Sequence, residues 1–298
     1  MITLTKDLNK AKFVTHAGNF HADDVFSTVF MSKLFGDIIV IRLKDYDDND
    51  TSKIAYDIGR GRFDHHQAGY DKKHDNGIHY CGFGLLWQEY GVEYLKKLNV
   101  SNPADVFQVF DYLLVTNIDA FDNGEADIEK DFNVYTMPSL IEMFRPKMNT
   151  NEDEDECFLK ACHFAEYWFD RIIEEAIIKA LVIEKIRELS KNIQNKILVL
   201  DEFIPYEYAI FYLNLDVDFV VYPSNRGGWA SRAVPTHYKG FIKRVPFKEE
   251  WAGLRDEELA KVSGIKDAKF CHNKLFLFTC ESKESAIKAS LVCEKENK

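Results

Sequence analysis

The chain has 298 residues, 46% of them hydrophobic and 29% charged, with a formal net charge of −11. This is the composition of a globular protein rather than a disordered or fibrous one, and the length makes two domains the prior. The acidity argues against a protein that coats nucleic acid, and the longest apolar runs, 38–41 and 197–200, are strand-sized, too short to span a membrane.

In chain order, Phe13-Val14-Thr15 reads as a strand ending at His16, and Ala17-Gly18-Asn19 as a turn. Residues 24–35 are predicted helical, with Val25, Phe26, Val29, Phe30 and Leu34 at helical spacing. Strands are predicted at 38–43 and 54–58, an acidic loop at 45–50, and helices at 82–90 and 105–115. Strands alternating with helices imply a parallel sheet with crossover helices, whose chemistry sits at the carboxyl ends of the strands. His16 and Asp57 both stand at such ends.

Residues 151–191 predict one or two long helices. Apolar residues recur at Ala161, Ala165, Trp168/Phe169, Ile172/Ile173, Ala176/Ile177 and Ala180/Leu181, and the acidic run 152–156 suits a helix start. After Asn192 the pattern turns to strands, at 197–200, 208–213, 219–222, 229–234, 268–271 and 275–278, with helices at 256–261 and 282–291. The fold class is therefore α/β: a parallel-sheet domain over 1–191, its last part (151–191) a helical bridge, and a smaller α+β domain over 196–298. Residues 223–248 carry Arg226, Arg232, Lys239, Lys243, Arg244 and Lys248 with no acid, interleaved with Trp229, Tyr238 and Phe241. Such a segment is either a site for a phosphate-rich ligand or a solvated basic face balanced by Glu249 and Glu250. The six cysteines (Cys81, Cys157, Cys162, Cys271, Cys280, Cys293) form no Cys-x-x-Cys pair and read as buried thiols of a reducing compartment. With neither an arginine-rich leader nor a signal-peptide core visible, the expected compartment is cytoplasm or nucleus.

The histidines are the strongest signal. Six of the nine (His16, His21, His65, His66, His74, His79) fall within a 64-residue stretch, where even spacing would put about two. Mixed with Asp23, Asp57 and Asp64, they offer the donor chemistry of a dinuclear site for Mn²⁺, Mg²⁺, Fe or Zn. The triplet Asp64-His65-His66 arises by chance in on the order of one such chain in fifty; its bland reading is a polar loop after Gly59-Arg60-Gly61-Arg62. In His16-x4-His21-x-Asp23, two side chains one residue apart on a strand-to-helix turn can converge on one ion, with the earlier histidine completing the set. Alone, Asp57 is a common strand-end Asp, and Asn117-Ile118-Asp119-Ala120-Phe121-Asp122-Asn123-Gly124 an ordinary polar turn.

Taken together, the order His…His-x-Asp, strand-end Asp, Asp-His-His and downstream Asp resembles the DHH phosphoesterase superfamily. It most resembles the Myg exonuclease branch, also labelled a metal-dependent protein hydrolase family. The matching segments are Thr15 to Asp24, Tyr56-Asp57-Ile58-Gly59, Phe63-Asp64-His65-His66-Gln67 and Ile118 to Gly124, then Gly227-Gly228-Trp229, Ala233-Val234-Pro235 and Trp251 to Leu259. The resemblance implies a DHH-like first domain with the active site in the cleft between the domains. It implies metal ligation by His16, His21, Asp23, Asp57, His65 and Asp119, with Asp57 bridging two ions. His66 would face the phosphate and Asp64 would orient the histidines. His21 stands where the wider superfamily has an Asp, a shift the Myg branch shares, and a second imidazole favours Mn, Fe or Zn over Mg.

On this resemblance the expected function is two-metal phosphodiester hydrolysis with a pair of Mn²⁺ ions, Mg²⁺ or another divalent ion being the alternative. The branch implies a 3′→5′ exoribonuclease releasing 5′-mononucleotides, with mitochondria as a further compartment and an oligomer as a possible state. Arg226, Arg232, Arg255 and His272 are the substrate-side candidates, each arginine being either a phosphate ligand or a surface salt-bridge residue. The alternatives are a phosphohydrolase acting on an oligonucleotide, nucleotide or pyrophosphate, and a non-catalytic RNA- or metal-binding protein. Peptide cleavage finds no support, since the chain has no His-Glu-x-x-His helix.

Overall fold

Four short strands pair in parallel in the first half of the chain, as the alternating pattern requires. The computed structural model describes residues 1–47, 50–128 and 131–296 and divides into two units, Met1–Ile178 and Lys179–Lys298. Of the predicted acidic loop, Asp48 and Asn49 lie outside the described residues.

The first unit begins with β1 (Ile2–Leu4), β2 (Phe13–His16), α1 (Ala22–Phe35), β3 (Ile38–Leu43) and β4 (Ile54–Ala55). The sheet order is β1-β3-β2-β4. β2 leads through α1 to β3 on one side, and the chain then crosses to lay β4 on the other. The order thus reverses between β2 and β4, where a parallel sheet opens a crevice at its carboxyl ends. β4 is shorter than the predicted 54–58 because Asp57 (φ 54°) and Gly59 (φ 87°) leave the extended region.

α2 (Gly82–Lys97), α3 (Pro103–Phe110), a π-helical turn (Asp111–Val115), α4 (Thr116–Asp122), α5 (Met137–Glu142) and α6 (Glu154–Leu189) follow. α1 is apolar along most of its length and belongs in the core. Its Phe30 ring lies 5.3–6.3 Å from those of Phe83, Trp87, Tyr94 and Phe169. Such ring pairs each contribute about 0.5–1.5 kcal/mol beyond the area they bury. α6 is one 36-residue helix; of the predicted stripe, Ala161, Ala165, Phe169, Ile173, Ala176 and Ala180 form its buried face, while Trp168 and Leu181 are exposed. The division between the units falls inside it.

The second unit holds β5 (Ile197–Val199), α7 (Glu207–Tyr212), β6 (Phe219–Pro223), β7 (Trp229–Ala233), α8 (Asp256–Ser263), β8 (Ala268–Cys271), β9 (Leu277–Cys280) and α9 (Lys283–Glu296). Its sheet order is β5-β6-β7-β9-β8, parallel between β5 and β6 and antiparallel elsewhere. Phe219, Phe247, Trp251 and Phe278 fill its core. The strand predicted at 208–213 is instead α7, with Ile210 N–H donating to Tyr206 O (3.1 Å) and Leu213 N–H to Ala209 O (2.9 Å). A short, wholly apolar run has no period that separates strand from helix. The last strand starts two residues later than predicted because Leu275 (φ 56°) belongs to the turn. All six cysteines are buried and none is in a disulfide, and no helix of the described residues is long and apolar enough to cross a membrane.

Asp218, just before β6, is buried beside the Glu294 carboxyl. Burial, then that second acid, push it up to about 6, and Lys196 at 3.8 Å offsets this only in part. A carboxyl held above its unfolded value of about 3.9 destabilises the fold as it ionises, so stability falls between about pH 4 and pH 6. Asp218→Asn should therefore stabilise the protein at pH 7 by about 1–2 kcal/mol, allowing for solvent screening, with the gain gone below about pH 4. Thermal melts of both proteins at the two pH values check this; a pH-independent difference would contradict it.

Candidate metal centre

His16 ends β2 and Asp57 lies just past β4, so both reach the crevice. His16 Nε2 is 3.2 Å from Asp57 Oδ2 and 3.4 Å from Asp24 Oδ2. Asp24 Oδ1 accepts from His21 N–H (2.7 Å), which fixes His21 at the entry of α1 with its ring 5.7 Å from that of His16. In the Asp-His-His loop, the Asp64 carboxylate accepts from Arg60 N–H (2.6 Å) and His66 N–H (3.0 Å), and it pairs with His66 Nδ1 (2.8 Å). That arrangement turns the neighbouring His65 inward. Its Nδ1 is 3.8 Å from both Asp23 Oδ2 and Asp57 Oδ1, and its Nε2 is 3.1 Å from Asp122 Oδ2.

Among the described residues, three groups have ligand atoms within 4.8 Å of one another: His16, His21 and Asp57; Asp57, Asp64, His65 and His66; Asp23, Cys81 and Asp122. Asp57 belongs to two of them. The buried atoms His16 Nε2, Asp24 Oδ2, Asp57 Oδ1 and His65 Nδ1 have no hydrogen-bond partner. Each buried polar atom left unsatisfied costs about 1–3 kcal/mol. Four such atoms in one crevice, nitrogen and carboxylate oxygen in equal number, fit divalent cations that accept both donor types.

The electrostatics agree. Burial pulls the His16 imidazole down, but the Asp57 carboxylate 3.2 Å away and the charge of Asp24 outweigh that and hold it at about 9. His65 is held at about 9 against burial by Asp122, Asp23 and Asp57. Burial pushes Asp24 up to about 7, and burial with the charges of Asp57 and Asp122 raises Asp23 well above the carboxylate range. Buried negative charge in this density is what bound cations offset. Burial would raise Asp64, yet the His66 ring and the His66 and Arg60 amides hold it at about 2.

Behind the crevice, two buried carboxylates meet the amino end of α2. Asp23 accepts from Gly82 N–H (2.9 Å) and Phe83 N–H (2.5 Å), and Asp119 Oδ1 from Cys81 N–H (3.0 Å) and Sγ (2.7 Å). Helix-terminal amides satisfy such charges well. Asp119 Oδ2 pairs with His74 Nε2 (2.6 Å), whose Nδ1 lies 3.1 Å from Asp111. The structure thus gathers His16, His21, Asp23, Asp57, Asp64, His65 and His66, while Asp119 faces His74 and Cys81. Asp122, one turn further along α4, is the acid that reaches His65. The segment expected to be a polar loop is this helix. Asp24 and Asp122 lie inside the matching motifs; His74 belongs to the histidine cluster and Cys81 to the buried thiols, but nothing local in the sequence marks their contacts with Asp119.

The glycine at 84 is required by a close approach. A Cβ there would sit 2.2 Å from Asp119 Oδ2. Gly84→Ala should destabilise the fold by about 1–3 kcal/mol through overpacking and the disturbed carboxylate. Denaturant melts check this, and an unchanged midpoint would show that Asp119 moves freely.

In the second unit, Arg226 lies in the β6–β7 turn, its N–H on Ser224 Oγ (3.2 Å). Arg232 on β7 pairs with Glu207 (3.1 Å) and stands 5.6 Å over the Phe276 ring. The His272 ring lies 4.2 Å from the same ring, tilted by 40° to it, and Arg255 covers Phe270 at 4.5 Å. Phe276 thus brings Arg232 and His272 together, whereas Arg255 rests on another ring.

A pocket of about 1040 Å³ adjoins the centre, lined by His16, His21, Asp57, His66 and Asp122 together with residues from the segment 128–142. A family model labelled MYG1_exonuc, described as "Uncharacterised protein family (UPF0160)", matches residues 12–291. The MYG1 protein of Dictyostelium discoideum is 30% identical, with 92% of this chain and 93% of that one covered. MYG1 protein YER156C of Saccharomyces cerevisiae is 28% identical over 95% of each, and the MYG1 exonuclease of Bos taurus 25% identical over 92% of this chain and 82% of its own. No solved structure matches. Because the family model spans nearly the whole chain, centre included, the chain belongs to the MYG1 exonuclease family.

Proposed function

We propose that the protein is a metal-dependent phosphodiesterase of the DHH type, a 3′→5′ exoribonuclease releasing 5′-mononucleotides. The observation that carries this reading is the set of unpartnered buried donors around Asp57, a residue shared by two ligand groups. The bovine relative's name, MYG1 exonuclease, supports the same class. His16, His21, Asp23, Asp57 and His65 would hold two divalent ions, Mn²⁺ in this reading. For the downstream acid, the geometry favours Asp122 over Asp119.

When bound, such a pair supplies Lewis acidity that activates an attacking water and offsets charge on the phosphoryl oxygens. In the hydrolysis, an oxygen–phosphorus bond to water forms as the bond from phosphorus to the preceding 3′ oxygen breaks, and that oxygen takes up a proton. His66, exposed on the pocket with Nδ1 tied to Asp64, can present Nε2 to the phosphate or to that leaving oxygen. Arg226, Arg232, Arg255 and His272 are proposed to bind the substrate phosphates.

One observation favours a shorter substrate. The described residues lining the pocket include Asp57, Asp122, Asp131 and Glu142 but no Lys or Arg. A phosphohydrolase of an oligonucleotide, nucleotide or pyrophosphate, whose few charges the metal ions themselves would offset, is therefore the second reading. Incubation with end-labelled RNA, diadenylate and pyrophosphate in Mn²⁺ decides between them. A ladder shortening from the 3′ end is expected. Phosphate released from pyrophosphate with RNA left intact would install the second reading, and no hydrolysis with any divalent ion would overturn both.

A further inference from the structure

The pocket beside the metal centre has a second wall of different chemistry. Ile128, Phe132 and Val134 line it and are 42%, 71% and 37% exposed. Large apolar side chains left open at a functional pocket mark a binding surface rather than a core. Asn133, between two of them, carries an amide that can both donate and accept. Among the described residues the neighbouring charges, Asp131 and Glu142, are negative, so those residues offer nothing to a second phosphate.

A nucleobase meets these conditions. It is uncharged, has two π faces for an aromatic platform, and has a hydrogen-bonding edge for an amide. The volume of about 1040 Å³ stands at the upper end of the roughly 300–1,000 Å³ of small-molecule sites and leaves room for a base beside a phosphate.

We infer that this wall is a nucleobase subsite. The base of the terminal nucleotide stacks on Phe132 between Ile128 and Val134, its edge meets the Asn133 amide, and its phosphate lies at the metal centre. The inference rests on the phosphodiesterase reading and deepens it: selection within the first unit acts on the base rather than on the sugar-phosphate chain. It also reconciles an acidic pocket with a nucleic-acid substrate.

The test compares two oligoribonucleotides that differ only at the 3′ residue, natural in one and abasic in the other, cleaved in Mn²⁺. The natural end should be preferred on the order of tenfold in kcat/KM. Phe132→Ala should lose most of that preference while cleaving the abasic end at the wild-type rate, and Phe132→Trp should retain it. Phe132 is exposed, so its truncation removes no core packing. Equal preference in wild type and Phe132→Ala would overturn the subsite. If the wild type cleaves neither oligonucleotide, the phosphodiesterase reading falls. The subsite is then judged by the fluorescence of 2-aminopurine ribonucleoside 5′-monophosphate with Mn²⁺: quenching by the wild type and not by Phe132→Ala supports it, and equal or absent quenching overturns it.

Discussion

Asp57→Asn should lower hydrolysis on the order of 10³-fold or more and, on the proposed two-ion reading, reduce bound metal to one ion per chain or none, with the fold intact. The two oxygens of Asp57 face different partners: Oδ2 is 3.2 Å from His16 Nε2, and Oδ1 is 3.8 Å from His65 Nδ1. An amide offers one acceptor oxygen and no charge, so it cannot hold two cations together. Asn is also the substitution that isolates this effect. Asp57 has φ 54°, a conformation that Asn tolerates among non-glycine residues, and its N–H donates to Phe63 O (3.0 Å) whatever the side chain. Alanine there would add backbone strain and blur the result. Turnover, metal analysis and a thermal melt on the same preparation check the expectation. Near-wild-type turnover with unchanged metal content would remove Asp57 from the centre of the mechanism.

The features legible in the sequence are those written locally. The β-branched run before His16 and the apolar runs at 38–43 and 54–55 specify neighbouring parallel strands, with His16 ending the first of them and Asp57 following the last. The stripe on α6 could be read because a 3.6-residue period needs no partner to be visible. Where two answers share one local pattern, the sequence was silent. Asp119 and Asp122 lie three apart on α4, and only tertiary packing sends one to His74 and the other to His65. The π-helical turn that precedes α4, with Asp111 bonded to Thr116 Oγ1 (3.0 Å), helps set that rotation and has no sequence signature. The apolar run of α7 fits either secondary structure. His74 and Cys81 enter through contacts spanning 45 and 38 residues, which no window reveals. Arg232 could be placed on a strand from its surroundings, but its ion pair with Glu207 of α7 could not, because that stretch was expected to be a strand.

The adjacent histidines should separate under substitution, because the loop that carries them can turn only one inward. The His65 side chain is 8% exposed and meets Asp23, Asp57 and Asp122, while that of His66 is 62% exposed with Nδ1 on Asp64. His65→Ala removes an imidazole from among three carboxylates. The carboxylates keep their mutual repulsion and lose the imidazole that would share an ion with them, so the site should lose bound metal and activity on the order of 10³-fold. His66→Ala leaves every inward donor in place and removes a group that faces the pocket. It should keep its metal and its melting temperature while kcat falls on the order of 10²-fold, the size of a lost proton donor or phosphate contact. Asp64→Asn ties the two effects together. It weakens the bond to the His66 ring and the capture of the Arg60 and His66 amides that shape the loop, so it should resemble His66→Ala in rate and also lose some metal. Metal content by atomic emission and single-turnover rates on all three variants separate these outcomes. Equal metal loss in His65→Ala and His66→Ala would mean that both rings hold the ions, and the division between holding and reacting would have to be redrawn.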